Sequence, residues 1–420
     1  MKKRLAFSVL LAAIGAFHTA TALAGGDPLT LADAVDLAVR QAPDLSARQS
    51  RVEAAEALVI PAGRLPDPQL IAGVENLPSN GADAWSLERD FMTMRKIGLM
   101  QSFPSRAKRH SEQDSARAML SLAQSQMTQS RLEITQSVGQ AWALRYAAEI
   151  SLKTLQDLRP ELALQVDLAR AALASGGASA SDALSAQAAV AELDDRVLDA
   201  QREAADARAE LTRWIGDAAN RPLGAPPAFR LLPAGDPELL GALHHHASLL
   251  VYDAQIATAR SEIAVARAGK HPDWSAELDY ARRGPRFSDM VSLQFAVSLP
   301  LFSSTRQDPM IRAKRASVRE LEANKEDALR RHTAEITTML SDWHGARDRV
   351  ELYETERLPL ARQRSELALV GLKAGRMALR QALAVLSDEL AIEHAYAEQL
   401  KTLGKTWAYL HFLPFQGVVP

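Results

Sequence analysis

One layout occurs twice in this sequence, and neither copy reads as a compact core by itself. Ala62-Gly63-Arg64-Leu65-Pro66-Asp67 returns about 200 residues later as Ala268-Gly269-Lys270-His271-Pro272-Asp273. Gln101-Ser102-Phe103-Pro104 returns as Val297-Ser298-Leu299-Pro300, and Pro160 and Gly176 return at one common offset as Pro359 and Gly375. Each copy carries two short alternating runs and then a very long helical stretch. Duplication of this kind predicts a quasi-symmetric assembly in which each copy supplies the same fraction of a larger closed structure.

The alternating runs are expected strands at 69–76 and 93–103 in the first copy and at 274–281 and 291–299 in the second. In the last of them Val291, Leu293, Phe295, Val297 and Leu299 share one face, against Ser292, Gln294, Ala296 and Ser298 on the other. A run of about 9–10 residues is the length of one bilayer-crossing β-strand, so those five side chains are the expected lipid-facing set. A soluble hairpin packed on a helix has the same period of two. The N-terminus favours the membrane. Lys2, Lys3 and Arg4 precede an apolar stretch and the small-residue site Ala22-Leu23-Ala24, so 1–24 reads as a secretory signal peptide. No later apolar run reaches the length of about 18 residues that a membrane-crossing helix needs.

The mature chain would carry 46 basic and 51 acidic residues, a net charge of −5 with both signs mixed, which does not favour nucleic acid as a partner. The absence of cysteine excludes disulfides, thiolate metal sites and a lipidated N-terminal Cys.

Residues 29–60 read as helix interrupted at Pro43. The stretches 105–159 and 303–358 read as helices, each roughly 80 Å long if continuous. Their apolar stripes are narrow (Ala116, Met119, Leu120, Ala123 and Met127 in one; Ile336, Met339 and Leu340 in the other), which suits helices packed side by side as a wall with one wet face. Pro160 and Pro359 are expected to break or kink them. The chain should reverse at Gly176 and Gly375 and return through 179–215 and 377–410. The domain reading is a first repeat at 25–216, a Pro/Gly/Ala-rich linker at 217–236, a second repeat at 237–410 and a loose tail at 411–420.

Catalytic motifs are absent: there is no phosphate loop, no nucleophile elbow and no His-Glu-x-x-His, so the chain reads as no enzyme and needs no cofactor. His244, His245 and His246 are weak metal candidates, because adjacent histidines on a helix diverge; a solvated helix start is the plainer reading. Met92, Met94 and Met100 are soft-metal contacts only as a minor alternative. The reversal Val370-Gly371-Leu372-Lys373-Ala374-Gly375 combines small residues with exposed apolar ones, as a docking surface would. A helical hairpin needs a glycine cap in any case, which accounts for Gly375 but not Gly371.

Taken together, the duplicated layout, the Pro-Asp steps, the two strand-end sequences and the reversal sequences resemble the TolC-like outer-membrane efflux family over nearly the whole mature length. The resemblance implies a mainly α, mixed fold: long antiparallel helical hairpins forming an α-barrel, and four β-strands per protomer contributing to a trimeric 12-stranded transmembrane β-barrel. It implies a passive exit duct in the outer membrane with a long periplasmic extension, working with a periplasmic adaptor and an inner-membrane RND-type pump. Val370-Gly371-Leu372 resembles the family's adaptor-docking tip, to which Gly375 and, in the first copy, Leu173 and Gly176 would belong. Ala171-Ala172 departs from that motif, and Arg376 and Arg380 stand where some relatives carry acidic residues. Val74-Glu75-Asn76, Met100-Gln101 and Lys108-Arg109 are similar to the heavy-metal branch, so heavy-metal cations are the expected cargo, with drugs or other small molecules as the alternative. Two readings from other classes stay open, a periplasmic coiled-coil adaptor and a secreted metal-dependent hydrolase.

Overall fold

A computed structural model describes residues 27–174 and 179–413 of the chain, so the signal peptide, Gly176 and residues 414–420 of the expected tail lie outside the described residues. The chain opens with α1 (Leu31–Gln41) and α2 (Pro43–Val59). Thr30 and Asp33 cap α1 reciprocally: Thr30 Oγ1 accepts the Asp33 N–H at 3.1 Å, and the Asp33 carboxylate accepts the Thr30 N–H at 3.3 Å. Pro43 then opens α2 at a first-turn position, where its missing N–H costs nothing.

Strands β1 (Gln69–Glu75) and β2 (Met94–Phe103) follow, then α3 (Arg106–Ala174) and the returning α4 (Ala180–Ile215). The second half repeats this order. A short α5 (Asp236–Gly241) and α6 (Ala247–Ala268) lead to β3 (Trp274–Arg282) and β4 (Met290–Val297). Then come α7 (Gln307–Leu352), α8 (Leu358–Lys373) and the returning α9 (Leu379–His411). Helix therefore runs one residue past the start of the expected tail, and Leu413 beyond it is buried.

The two prolines expected to break or kink the long helices behave differently, and one helix start moves. Pro160 does not break α3, which is continuous for 69 residues, about 100 Å. A proline forfeits one backbone hydrogen bond, but the packed partner helix α4 holds the turns on both sides. In the second half a π turn, Tyr353–Arg357, joins α7 to α8, with the Leu358 N–H bonded to the Tyr353 carbonyl. The wider turn comes just before Pro359, which then occupies the first turn of α8. The helix also starts at Gln307 rather than 303, because Pro309 fits only a first turn and residues 301–306 wind as turns ahead of it.

All four strands form one antiparallel sheet in the order β1-β2-β3-β4. Its central pair, β2 with β3, joins the two halves in register, with Ile97 opposite Tyr280 and Leu99 opposite Leu278. The outer strands β1 and β4 each leave one edge unpaired. β4 stops at Val297, so Leu299 lies beyond the strand that was expected to include it.

The main core forms a collar where α1, α3, α7, α9 and the segment between the halves meet. That segment is no free linker. Leu29 forms a parallel bridge to Leu223, with Leu29 N–H on the Pro222 carbonyl at 2.8 Å and Gly224 N–H on the Leu29 carbonyl at 3.0 Å. Three buried indoles donate into the same belt: Trp142 to the Leu29 carbonyl (3.1 Å), Trp343 to Phe229 (2.9 Å) and Trp407 to Leu231 (2.7 Å). Arg145, fully buried, donates to the Ala219 and Arg221 carbonyls at 2.6 and 2.9 Å and pairs with Glu149 at 2.8 Å. A charge taken out of water persists only when so satisfied. Smaller apolar clusters continue along the hairpins, around Leu158, Leu193 and Leu386, and then around Val166, Ala186 and Leu379 near the reversal.

Candidate functional site

Register divides the sheet into two faces. On one lie aligned rows: Leu70, Leu99, Leu278 and Leu293; Ala72, Ile97, Tyr280 and Val291; and Phe103, Trp274 and Val297. Phe103 and Trp274 stack with ring centroids 4.0 Å apart at the end of the sheet nearest the long helices. Val291, Leu293, Phe295 and Val297 are all more than half exposed, as are Leu70, Ile97, Leu99 and Leu278. An exposed belt this wide is no ordinary protein surface, and lipid is the solvent it suits. Leu299 shares the exposure but not the strand.

The opposite face is polar. Lys96 reaches three carboxylates, Glu277 at 2.9 Å, Glu75 at 3.3 Å and Asp279 at 3.5 Å. Asp279 is buried because Gly98 faces it: a Cβ there would come 2.7 Å from the Asp279 Cβ. One ammonium against three carboxylates leaves this face with net negative charge. By register Met94, Met100 and Met290 share it, while Met92 lies exposed in the loop between β1 and β2. Cross-strand parity carries this information and is visible in the sequence. The lysine–carboxylate convergence is not, since it joins residues from both halves.

The repeated Pro-Asp step has a structural task in the second half. Asp273 accepts the Ser105 N–H at 2.7 Å and the Lys108 ammonium at 3.1 Å, fastening the start of β3 to the start of α3. Lys270 pairs with Asp308 beside it. The sheet is thus riveted directly onto the long helices.

At the far end, Gly375 adopts φ +65°, the left-handed cap that favours glycine. Its N–H bonds to the Leu372 carbonyl at 3.1 Å, and Arg376 N–H bonds to the Gly371 carbonyl at 2.9 Å. Gly371 has an internal explanation that the sequence did not supply: a Cβ there would sit 3.2 Å from the Met377 Cβ across the reversal. The expected docking residues also divide. Val370 is 58% exposed and Leu173 is exposed, whereas Leu372 turns partly inward onto the Val166–Ala186–Leu379 cluster.

Of the three adjacent histidines, the side chain of His244 lies outside the described residues, and the other two sit in different surroundings. His245 is exposed at the end of a 3-10 turn, while His246 is buried and caps α6, so a solvated helix start describes only the former. Burial pushes the His246 imidazole down to about 4, with nearby His332 adding to the shift and Glu335 opposing it. Among the described residues no group of three or more His, Asp or Glu is arranged to hold a metal ion. Among them, too, no helix is long and apolar enough to cross a membrane.

Comparison with known proteins agrees with this geometry. Residues 34–217 and 241–406 match the model of the family described as outer membrane efflux protein, and the chain belongs to that family. Its members are transport ducts in the outer membrane, not enzymes. No curated protein sequence matches the chain. Among solved structures it is similar to VceC from Vibrio cholerae (20% identity, TM-score 0.74, covering 91% of this chain and 95% of that one). It is similar to the outer-membrane channel OprN (18%, TM-score 0.75, 91% and 89%) and to CusC (14%, TM-score 0.73, 90% and 90%). Identities this low speak for the fold. The soluble adaptor and hydrolase readings both give way to the family assignment.

Proposed function

We propose that three copies of this chain close a 12-stranded barrel, β4 of one protomer pairing with β1 of the next, and form the exit duct of a tripartite efflux system. The carrying observation is the four-stranded sheet with an apolar outer belt and two unpaired edges. Open edges are not tolerated in lipid, so the sheet needs further copies to close it. Six helical hairpins from the trimer extend the bore through the periplasm as an α-barrel. The duct is passive, and an RND-type pump in the inner membrane supplies the energy through a periplasmic adaptor. Heavy-metal cations are the proposed cargo, supported by the net negative charge beside Lys96 and by the resemblance to the metal branch; drugs are the competing cargo.

The purified protein should be a detergent-requiring trimer that conducts ions in planar bilayers; a stable detergent-free monomer overturns the duct. Deleting the gene should sensitise cells to metal cations. Sensitivity to drugs alone would overturn the cargo and leave the duct standing.

The adaptor is proposed to dock on the reversal through Val370 and Gly371, with Leu372 and Gly375 shaping it and with Leu173 and Gly176 as the first-copy counterpart. Because Gly371 abuts Met377, Gly371→Trp would disturb the reversal itself. Val370→Asp is the cleaner test, since the side chain is exposed. Export should fall at normal trimer levels, and full export would refute the docking role.

A further inference from the structure

The duct reading leaves unused a pair of imidazoles between α6 and α7, His246 buried and His332 half-buried. His246 is the N-cap of α6, 6% exposed, and its Nδ1 accepts the Ser248 N–H at 3.4 Å. The His332 ring on α7 lies 5.3 Å away, centroid to centroid. His246 Nε2 is buried without a hydrogen-bond partner. His332 Nδ1 is 3.3 Å from the Glu335 carboxylate, close enough for charge attraction but not aligned as a hydrogen bond. Glu335 also bonds the Tyr409 side chain on α9. No other charge acts appreciably on His246.

Each part of this geometry requires a neutral His246. Its Nδ1 lone pair faces a helix N–H, so a proton there would set one donor against another. The ring also sits at the positive end of the α6 dipole, where a cation is disfavoured. The neighbouring His332 disfavours a positive charge on His246, and burial removes the water that would solvate that charge. Only Glu335 opposes these effects.

We infer that His246 and His332 form an acid-sensitive latch that holds the first turn of α6 against α7, closed at neutral pH and released when acid charges the buried imidazole. The folded-state pKa lies below the ordinary value of 6.5, so the closed state binds fewer protons than the open one. Closure is therefore fully favoured above pH 6.5 and is progressively lost as pH falls toward about 4. α6 leads within a few residues to Asp273 and β3, so release of its first turn loosens the helix that carries the base of the sheet.

Hydrogen exchange of the full-length protein in detergent tests this, corrected for the intrinsic pH dependence of exchange. Between pH 8 and pH 5, protection of residues 247–252 should fall by at most about thirtyfold, the ratio set by a pKa of 6.5 when open and about 4 when closed. Protection around Leu193 and Leu386 should not change. His246→Asn, which can still cap but does not titrate, should abolish the fall. His332→Gln should shrink it by removing the repulsion. Equal acid loss in wild type and His246→Asn, no loss in wild type, or a loss spread evenly over the chain would each overturn the latch. An unchanged wild-type fall in His332→Gln overturns the pairing even where the Asn variant does not fold.

Discussion

The sheet and the collar of this molecule solve opposite problems. In the collar, apolar side chains are hidden by the same chain: Trp142 is fully buried, and its indole N–H finds a carbonyl 113 residues away. In the sheet the largest apolar side chains point outward, and both edge strands end in unused backbone groups. One region is complete within a protomer; the other has an exposed apolar face and two open edges, which the proposed barrel would cover with lipid and with other copies. Stability and assembly should therefore be separable by mutation.

The largest effect is expected in the collar. Trp142→Ala removes a buried ring together with its bond to the Leu29 carbonyl and should cost about 3–5 kcal/mol. Thermal unfolding of the helices, followed by circular dichroism, should move down in every oligomeric state. If only the trimer suffered, the collar would not be self-sufficient.

Next comes the sheet. Phe295→Arg should cost about 2–4 kcal/mol near the bilayer midplane, lowering assembled trimer while leaving the helical transition of the protomer in place. Gln294→Arg, on the polar face, should assemble normally. Equal damage from both positions would mean that the two faces are not lipid and lumen. The smallest effect belongs to the reversal, which lies in neither region. Gly375→Ala meets no atom within 4 Å and carries only the backbone cost of φ +65°, about 1 kcal/mol. It should destabilise the tip locally and change neither collar melting nor trimer yield.

Much of the sheet was legible because a period of two and a bilayer-length run are local properties of the chain. The strands at 274–281 and 291–299 stand at Trp274–Arg282 and Met290–Val297, and the glycine cap at 375 is where a helix reversal needs it. What the sequence left out has one cause. Pro160 looks like a break when only its neighbours are considered, yet α4 packs along α3 and the helix continues. Residues 217–236 do join the two halves, falling largely between the two matched stretches, but Arg145 and the indoles of Trp343 and Trp407 bond to carbonyls in that segment, which composition could not show. Gly371 looks surplus to a cap until Met377 is seen against it.

The sequence by itself determined which segments are strands and helices, which strand face is apolar, where the second hairpin turns, and the kinship with outer-membrane efflux proteins. These follow from periodicity, glycine and proline placement, and short motifs, all of which act over a few residues. Only the tertiary structure decided that β2 pairs with β3 across the two halves, that Lys96 gathers three carboxylates, and that His246 is buried beside His332. Each of those joins residues from distant parts of the chain, and distance along a sequence says nothing about proximity until the chain has packed.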